Sequence, residues 1–154
     1  MEKYLRLLNP KTTNYESTGG GSYGALTAQD VCVAMSYARL TIVQSHLINL
    51  YALNQNSVDQ IRASGKVIQS ELSRTNSNLS ADHEISLFIA LVELCKVPAD
   101  YKSSLRNRGI IGGISKDRVQ RHLNVLVDEY KNYFTDEIKI AFSSIEQQFR
   151  INNN

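Results

Sequence analysis

A group of basic and amide side chains stands close together near the start of one amphipathic segment. Ser115 is followed by Lys116, Arg118, Gln120 and Arg121. The hydroxyl of Ser115 suits an N-cap, so we expect a helix to begin just after it. Arginine and glutamine can each make two parallel hydrogen bonds to a base edge, and lysine can neutralise a phosphate. Such side chains on the first turns of a helix are typical of contact with duplex DNA, and Ser115 is included among the expected contacts.

Basic charge is concentrated in the same part of the chain. Between Tyr101 and His122, six basic residues stand against the single acid Asp117, a local charge of +5 in a chain whose net charge is +2. A polyanion is the simplest partner for such a concentration, and a solvated charged face is the alternative. Three further side chains of this segment are expected to hold the DNA backbone: Lys102, Arg106 and Arg108.

The elements that must position these side chains are two helices joined by a glycine turn. The first is a short basic helix from about 99 to 108, and the second begins after Ser115. Apolar residues recur along the second helix at helical spacing and predict one buried stripe: Val119, Leu123, Leu126, Val127 and Tyr130. Residues 99–134 therefore form a candidate helix-turn-helix, with an ordinary helix hairpin as the alternative.

The usual helix-turn-helix pattern is met only in part. Its small residue, its turn glycine and its two following apolar positions are present as Gly109, Gly113, Ile114 and Val119. Three further positions, which the pattern reserves for apolar residues, hold Arg108, Gly112 and His122. If the turn is longer than usual, the adjacent pair of isoleucines at 110 and 111 could supply the missing packing.

The remaining pattern predicts an all-α protein, a compact bundle of about six helices. Further helices are expected at about 28–54, 57–73 and 80–97, and a last one is expected to start at Thr135. The helix at 80–97 is apolar nearly all round and should lie at the centre of the core. Residues 27–150 form the single domain; residues 1–26 are an N-terminal arm with a flexible Gly-rich loop, and residues 151–154 a frayed tail.

Several kinds of chemistry lack the residues they need. There is no zinc-protease, P-loop, nucleophile-elbow or Cys-x-x-Cys motif, and Gly19, Gly21 and Gly24 lack the preceding strand and following acid of a dinucleotide site. Cys32 and Cys95 are predicted to be buried free thiols, without histidines at metal-ligand spacing. We expect neither an enzyme nor a cofactor, metal or small-molecule substrate. Without a signal-like or membrane-spanning run, we expect a cytoplasmic protein.

Two segments together resemble a known family. The opening LNPKTTNYESTGGGSYGALTAQDVCVAM resembles the N-terminus of one branch of the Q antitermination proteins of lambdoid phages. The segment GISKDRVQRHLNVLVDEYKNYF is similar to the basic and apolar helix that ends that branch. The two segments occur in the same order as in that branch, and together they cover about 50 of the 154 residues. The matching residues of the opening are Pro10, Lys11, Thr18, Gly19, Gly21, Leu26, Thr27, Asp30 and Val31.

This resemblance implies a late-gene regulator in the cytoplasm of a bacterial host. Such proteins bind DNA near a late promoter, join the paused bacterial RNA polymerase and let it read through terminators. Members of the branch carry a cysteine-rich, zinc-finger-like insert, whereas YKSSLRNRGIIGG holds no cysteine here. The chain would be a zinc-free relative. Two other functions stay open from the residues: a small phage protein that binds and inhibits or adapts a host factor, and a helix-turn-helix repressor.

Overall fold

The computed structural model describes Leu5, Leu8 and residues 27–76 and 79–152. Across the two long ranges the chain forms six helices and no strand, which confirms the predicted all-α bundle. The Gly-rich loop predicted at 11–24 lies outside the described residues. The first five helices are α1 (Ala28–Tyr37), α2 (Ile42–Tyr51), α3 (Val58–Thr75), α4 (Ala81–Cys95) and α5 (Leu105–Gly112).

The sixth helix, α6, is continuous from Lys116 to the end of the described chain. It consists of Lys116–Arg118, a five-residue π-helical turn at Val119–Leu123, and Asn124–Asn152. The prediction of a separate last helix starting at Thr135 was wrong, because the Thr135 hydroxyl donates to the carbonyl of Lys131 inside the helix. No glycine or proline interrupts this segment, so the helix runs on.

The predicted helix at 28–54 is divided into α1 and α2. The chain leaves the helical path at Arg39, whose φ is 49°, and a capping box starts α2. In that box the Thr41 hydroxyl accepts from the Gln44 amide, and the Gln44 side chain accepts from the Thr41 amide. After the break, α2 contributes buried residues to two apolar clusters, whereas α1 contributes to one of them.

Helix α4 lies at the centre of the core, as its composition predicts. Its buried residues join α2, α3 and α6 in a first apolar cluster, and a second cluster joins α1 and α2 to the C-terminal half of α6. Leu5 is fully buried in the second cluster, where Leu8 also packs. The N-terminal arm therefore contacts the body of the protein at these two residues.

The two cysteines differ in their surroundings. Both are free; Cys95 is partly buried, and burial raises the pKa of its thiol to about 12. Cys32 is exposed, so its predicted burial was wrong. Helix α1 buries only Val31 and Ala34, and Cys32 falls outside that narrow stripe. Among the described residues, no helix combines the length and apolar character needed to cross a membrane.

Candidate nucleic-acid interface

Helices α5 and α6 are joined by a short turn that two backbone hydrogen bonds close. The Ile114 amide donates to the Gly109 carbonyl over 2.9 Å and the Gly113 amide to the Ile110 carbonyl over 3.3 Å, while Gly113 has a φ of 64°. These features define a Schellman motif with glycine in the left-handed position. Ser115 then caps α6, its hydroxyl accepting from the Arg118 amide over 3.3 Å, as predicted. The turn is short, so the longer turn considered from the sequence does not occur.

Two glycines let α5 pack closely at this turn. A Cβ atom on Gly109 would lie 2.8 Å from the carbonyl oxygen of Ile114, too close for any side chain. A Cβ atom on Gly112 would lie 3.0 Å from Ile85 and 3.1 Å from Ile89, so the apolar residue usual at this position would require both side chains to move. The departure from the helix-turn-helix pattern at Gly112 therefore reflects a tighter approach of α5 to α4.

The other departures from the pattern have different outcomes. Ile111 packs partly buried against the first cluster, whereas Ile110 is 70% exposed and supplies no packing. His122 is exposed. The stripe predicted on α6 is confirmed at its fully buried members Val119, Leu123 and Val127.

Seven of the eight residues predicted to contact DNA lie on the surface. Those on α6 and its cap are Ser115, Lys116, Arg118, Gln120 and Arg121, and those before them are Lys102 and Arg106. The α6 group stands on the first turns of a helix whose back is buried. The arrangement presents cations and bidentate hydrogen-bonding groups on one protruding helix start.

A π-helical turn shapes this helix start. The Asn124 amide donates to the carbonyl of Val119, five residues earlier. Such a turn holds one more residue than an α-helical turn, which rotates the residues on its two sides by about 100° relative to a regular helix. Val119 and Leu123 both remain fully buried, while Gln120 and Arg121 remain exposed. The turn thus keeps the packing face and the polar face of α6 separate over its first turns.

Arg108 lies in the interior, where it is only 5% exposed. Its guanidinium donates to both carboxylate oxygens of Glu93 over 2.8 and 2.9 Å, to Asp128 over 2.7 Å and to Asn124 over 2.6 Å. Its predicted role as a phosphate contact needs correction, because these internal acceptors already occupy the guanidinium. Arg108 instead ties α5 to α4 and α6, and it fills the pattern's apolar position as a paired, buried cation.

Glu93 is the centre of this buried network and was missed by the sequence analysis. It also accepts from the hydroxyls of Tyr101 and Ser103, over 3.0 and 2.8 Å, and from the Lys131 ammonium over 2.7 Å. Burial by itself would raise the pKa of Glu93; hydrogen bonds led by that from Arg108 outweigh burial and lower the pKa to about 2. The signal in the sequence was that Glu93 is the one acid in the apolar run from 85 to 95.

The same network corrects the start of the candidate helix-turn-helix. The short helix was predicted at 99–108, but α5 begins only at Leu105, with the Ser104 hydroxyl accepting from the Asn107 amide. Tyr101 and Ser103 turn instead toward Glu93. Burial of Tyr101 and its hydrogen bond to Glu93 raise the pKa of the phenol. The segment before α5 is thereby fixed to α4.

Acidic residues also stand beside the basic helix start. Arg118 donates to a carboxylate oxygen of Asp82, at the start of α4, over 2.5 Å. A shallow depression between them is lined by Asp82, Ser115, Asp117, Arg118, Arg121 and His122. A polyanion that approaches this surface must therefore compete with Asp82 for Arg118.

Within the part of the chain that the structure describes, no cluster of His, Cys, Asp or Glu side chains could hold a metal ion. No known protein family, no curated protein and no solved structure matches this chain.

Proposed function

We propose that this protein binds duplex DNA with α6, and that it is a transcription antitermination factor acting on late phage genes. One observation carries the first half of the proposal. The exposed side chains of Lys116, Arg118, Gln120 and Arg121 stand together at the start of a helix that follows a Schellman turn. This is how a helix-turn-helix presents its recognition helix to the major groove.

The surroundings of this helix start favour binding as a preformed unit. Arg108 and Glu93 hold α5 and α6 against α4, so the two helices need no ordering when DNA arrives. Lys102 and Arg106 lie exposed just before and on α5, where they can neutralise phosphates beside the groove. Direct base readout is assigned to Arg118, Gln120 and Arg121, since their side chains can make bidentate contacts.

The second half of the proposal, antitermination with bacterial RNA polymerase as partner, is supported by the resemblance to the Q proteins. That support lies in the order of two sequence segments: the opening polar run and the basic–apolar segment, most of which lies in the first part of α6. The absence of a cysteine-rich insert leaves the α5–α6 unit as the proposed DNA-contacting part.

A salt titration of DNA binding tests the first half. Five exposed cations on this surface predict a slope of log affinity against log salt of about −4.5 for duplex DNA if each neutralises one phosphate. The double variant Arg118→Ala/Arg121→Ala should flatten the slope by about 2 and weaken binding. The control variant Lys139→Ala/Arg150→Ala removes two exposed cations from the far part of α6 and should leave binding near wild type. No affinity at low salt, or equal affinity of the first variant and wild type, contradicts DNA binding.

A readthrough assay tests the second half. A terminator is placed downstream of the late promoter of the phage from which the chain derives, and full-length transcripts are measured with purified polymerase. Antitermination predicts more readthrough with the protein, reduced by Arg118→Ala/Arg121→Ala. Lower initiation without any readthrough would identify a helix-turn-helix repressor instead.

A further inference from the structure

An apolar groove crosses the surface between α3 and α4, next to the end of α5. Its apolar lining includes Ile85, Leu87, Phe88 and Ile111, and Gly65 of α3 lies in it. None of these residues belongs to the proposed DNA-contacting set. The groove therefore needs an explanation of its own.

The glycine in the groove is not required by the packing of the helices. Gly65 lies inside the 18-residue helix α3, where glycine costs about 1 kcal/mol relative to alanine. A Cβ atom there would lie 3.5 Å from Leu91 and 3.6 Å from Leu87, which is ordinary van der Waals contact. An added Cβ would fit here, so the glycine leaves a small volume unfilled beside Leu87 in the groove.

The walls of the groove carry opposite charges. Arg62 and Lys66 line it on α3, and neither forms an ion pair with another described residue. The Arg62 guanidinium lies 5.6 Å from the centre of the Phe88 ring, so a positive charge borders the apolar surface directly. On α4, Glu84 lines the opposite wall. An occupant must be apolar in the middle, acidic toward α3 and basic or neutral toward α4.

We infer that this groove binds a short amphipathic helical segment of a protein partner, with apolar residues on the apolar lining and acidic residues facing Arg62 and Lys66. Grooves of this kind take helices through apolar anchors three and four residues apart. The charges of Arg62 and Lys66 complement the acidic flank of the bound helix. Glu84 on the opposite wall disfavours that flank, so the acidic flank faces α3. The inference does not depend on DNA binding.

Three synthetic peptides test the inference against the full chain. Each is a fluorescein-labelled helix of about four turns with leucines at helical spacing. In the first, glutamates line one flank of the leucine stripe; in the second, lysines replace those glutamates; in the third, serines replace the leucines. The first should bind with measurable fluorescence anisotropy, and it should shift the amide resonances of Gly65, Phe88 and Ile111. The second and third should bind at least about tenfold more weakly.

Two variants locate the site. Gly65→Met should weaken the first peptide about tenfold or more by placing a long side chain beside Leu87 in the groove. Arg62→Glu/Lys66→Glu should reverse the preference from the glutamate peptide to the lysine peptide. The control Lys139→Glu/Arg150→Glu, which changes the same number of exposed charges on α6, should keep the wild-type preference. Thermal unfolding of each variant checks that the fold is kept.

Three results would overturn the inference: equal affinity for all three peptides, amide shifts confined to other surfaces, or unchanged binding in Gly65→Met. Concentration-dependent shifts at the groove without peptide, together with a dimer in sedimentation, would also overturn it, by showing that a second copy occupies the groove.

Discussion

The charged side chain of Arg108 is buried in the protein interior. The residues around it determine the free-energy cost of that burial. A buried cation without a partner is strongly destabilising, whereas Glu93, Asp128 and Asn124 give this one a nearly complete set of acceptors. Glu93 in turn accepts hydrogen bonds from two hydroxyls and forms an ion pair with the Lys131 ammonium. The network therefore makes stability and the orientation of α5 depend on the same few side chains.

Glu93→Gln should lower the free energy of unfolding by about 3–5 kcal/mol, because it leaves the cations of Arg108 and Lys131 without their central carboxylate. Urea unfolding followed by circular dichroism measures the change. Glu71→Gln, which removes a carboxylate from the surface pair with Arg74, is the matched control and should cost about 0.5 kcal/mol or less. Similar losses in the two variants would contradict the structural role given to Glu93.

The same carboxylate predicts a dependence of stability on pH. Its folded pKa is about 2, below the ordinary value of 4.5, so its contribution is complete above pH 4.5 and is lost as pH falls through about 2. Over that interval, the unfolding free energy of the wild type should fall more steeply than that of Glu93→Gln. Urea titrations at stepped pH measure both slopes, and parallel slopes would show that Glu93 does not carry this dependence.

Asp82→Asn should strengthen the proposed binding to DNA, because it releases Arg118 and removes a negative charge beside the proposed phosphate contacts. For an exposed pair worth about 0.5–1 kcal/mol, the gain is roughly two- to fivefold at low salt. Asp136→Asn, which releases Lys139 elsewhere on α6, is the control and should leave affinity unchanged. Fluorescence anisotropy with labelled duplex makes the comparison. Weaker binding of Asp82→Asn would indicate that the carboxylate orients Arg118 rather than competing for it.

At the scale of elements, the α5–α6 turn depends on glycines for two different reasons. Gly113 adopts a left-handed φ of 64° that closes the Schellman motif, with open space around it. Gly109 has an ordinary helical conformation but touches the backbone of Ile114. A side chain at Gly109 would therefore push the start of α6 away from α5.

Gly109→Ala should destabilise the chain and weaken DNA binding, since a backbone atom 2.8 Å from the new Cβ must move. Gly65→Ala is the matched helical control; its new Cβ has ordinary contacts, so it should gain up to about 1 kcal/mol. Thermal unfolding separates the two variants. A Gly109→Ala protein with wild-type stability and DNA affinity would refute the close-contact account of this turn.

At the scale of the whole molecule, two apolar clusters share α6, and the second is completed by a residue far away in sequence. Leu5 is fully buried in the cluster that contains Ala34, Ile145 and Phe149. The N-terminal arm thus contributes to the core around the C-terminal half of α6.

Leu5→Ala should lower the unfolding free energy by about 2–5 kcal/mol through lost burial and the cavity left behind. Leu8→Ala, at a partly buried position of the same cluster, should cost less. Chemical unfolding ranks the two variants. If Leu5→Ala had no effect on stability, the arm would not be part of the core.

Much of the fold could be predicted from local patterns. The cap at Ser115 and the apolar run of α4 mark their helices with residues three or four positions apart. Caps and apolar spacing involve residues that are close in the sequence, so these predictions hold without tertiary information. The exposed cations before and at the start of α6 were found in the same way.

Other features depend on residues that meet only in the folded chain. In the sequence, Arg108 cannot be told apart from the surface cations near it. Only the fold brings Glu93, 15 residues away, into contact with it. Arg118 likewise meets Asp82 across 36 residues. The groove beside Gly65 exists only because α3, α4 and α5 pack together. The sequence by itself determined the all-α class, helices α3 and α4 and the basic start of α6, because these follow from neighbouring residues. Only the tertiary structure decided which charges are buried, which are paired and which remain available, because that depends on contacts between distant helices.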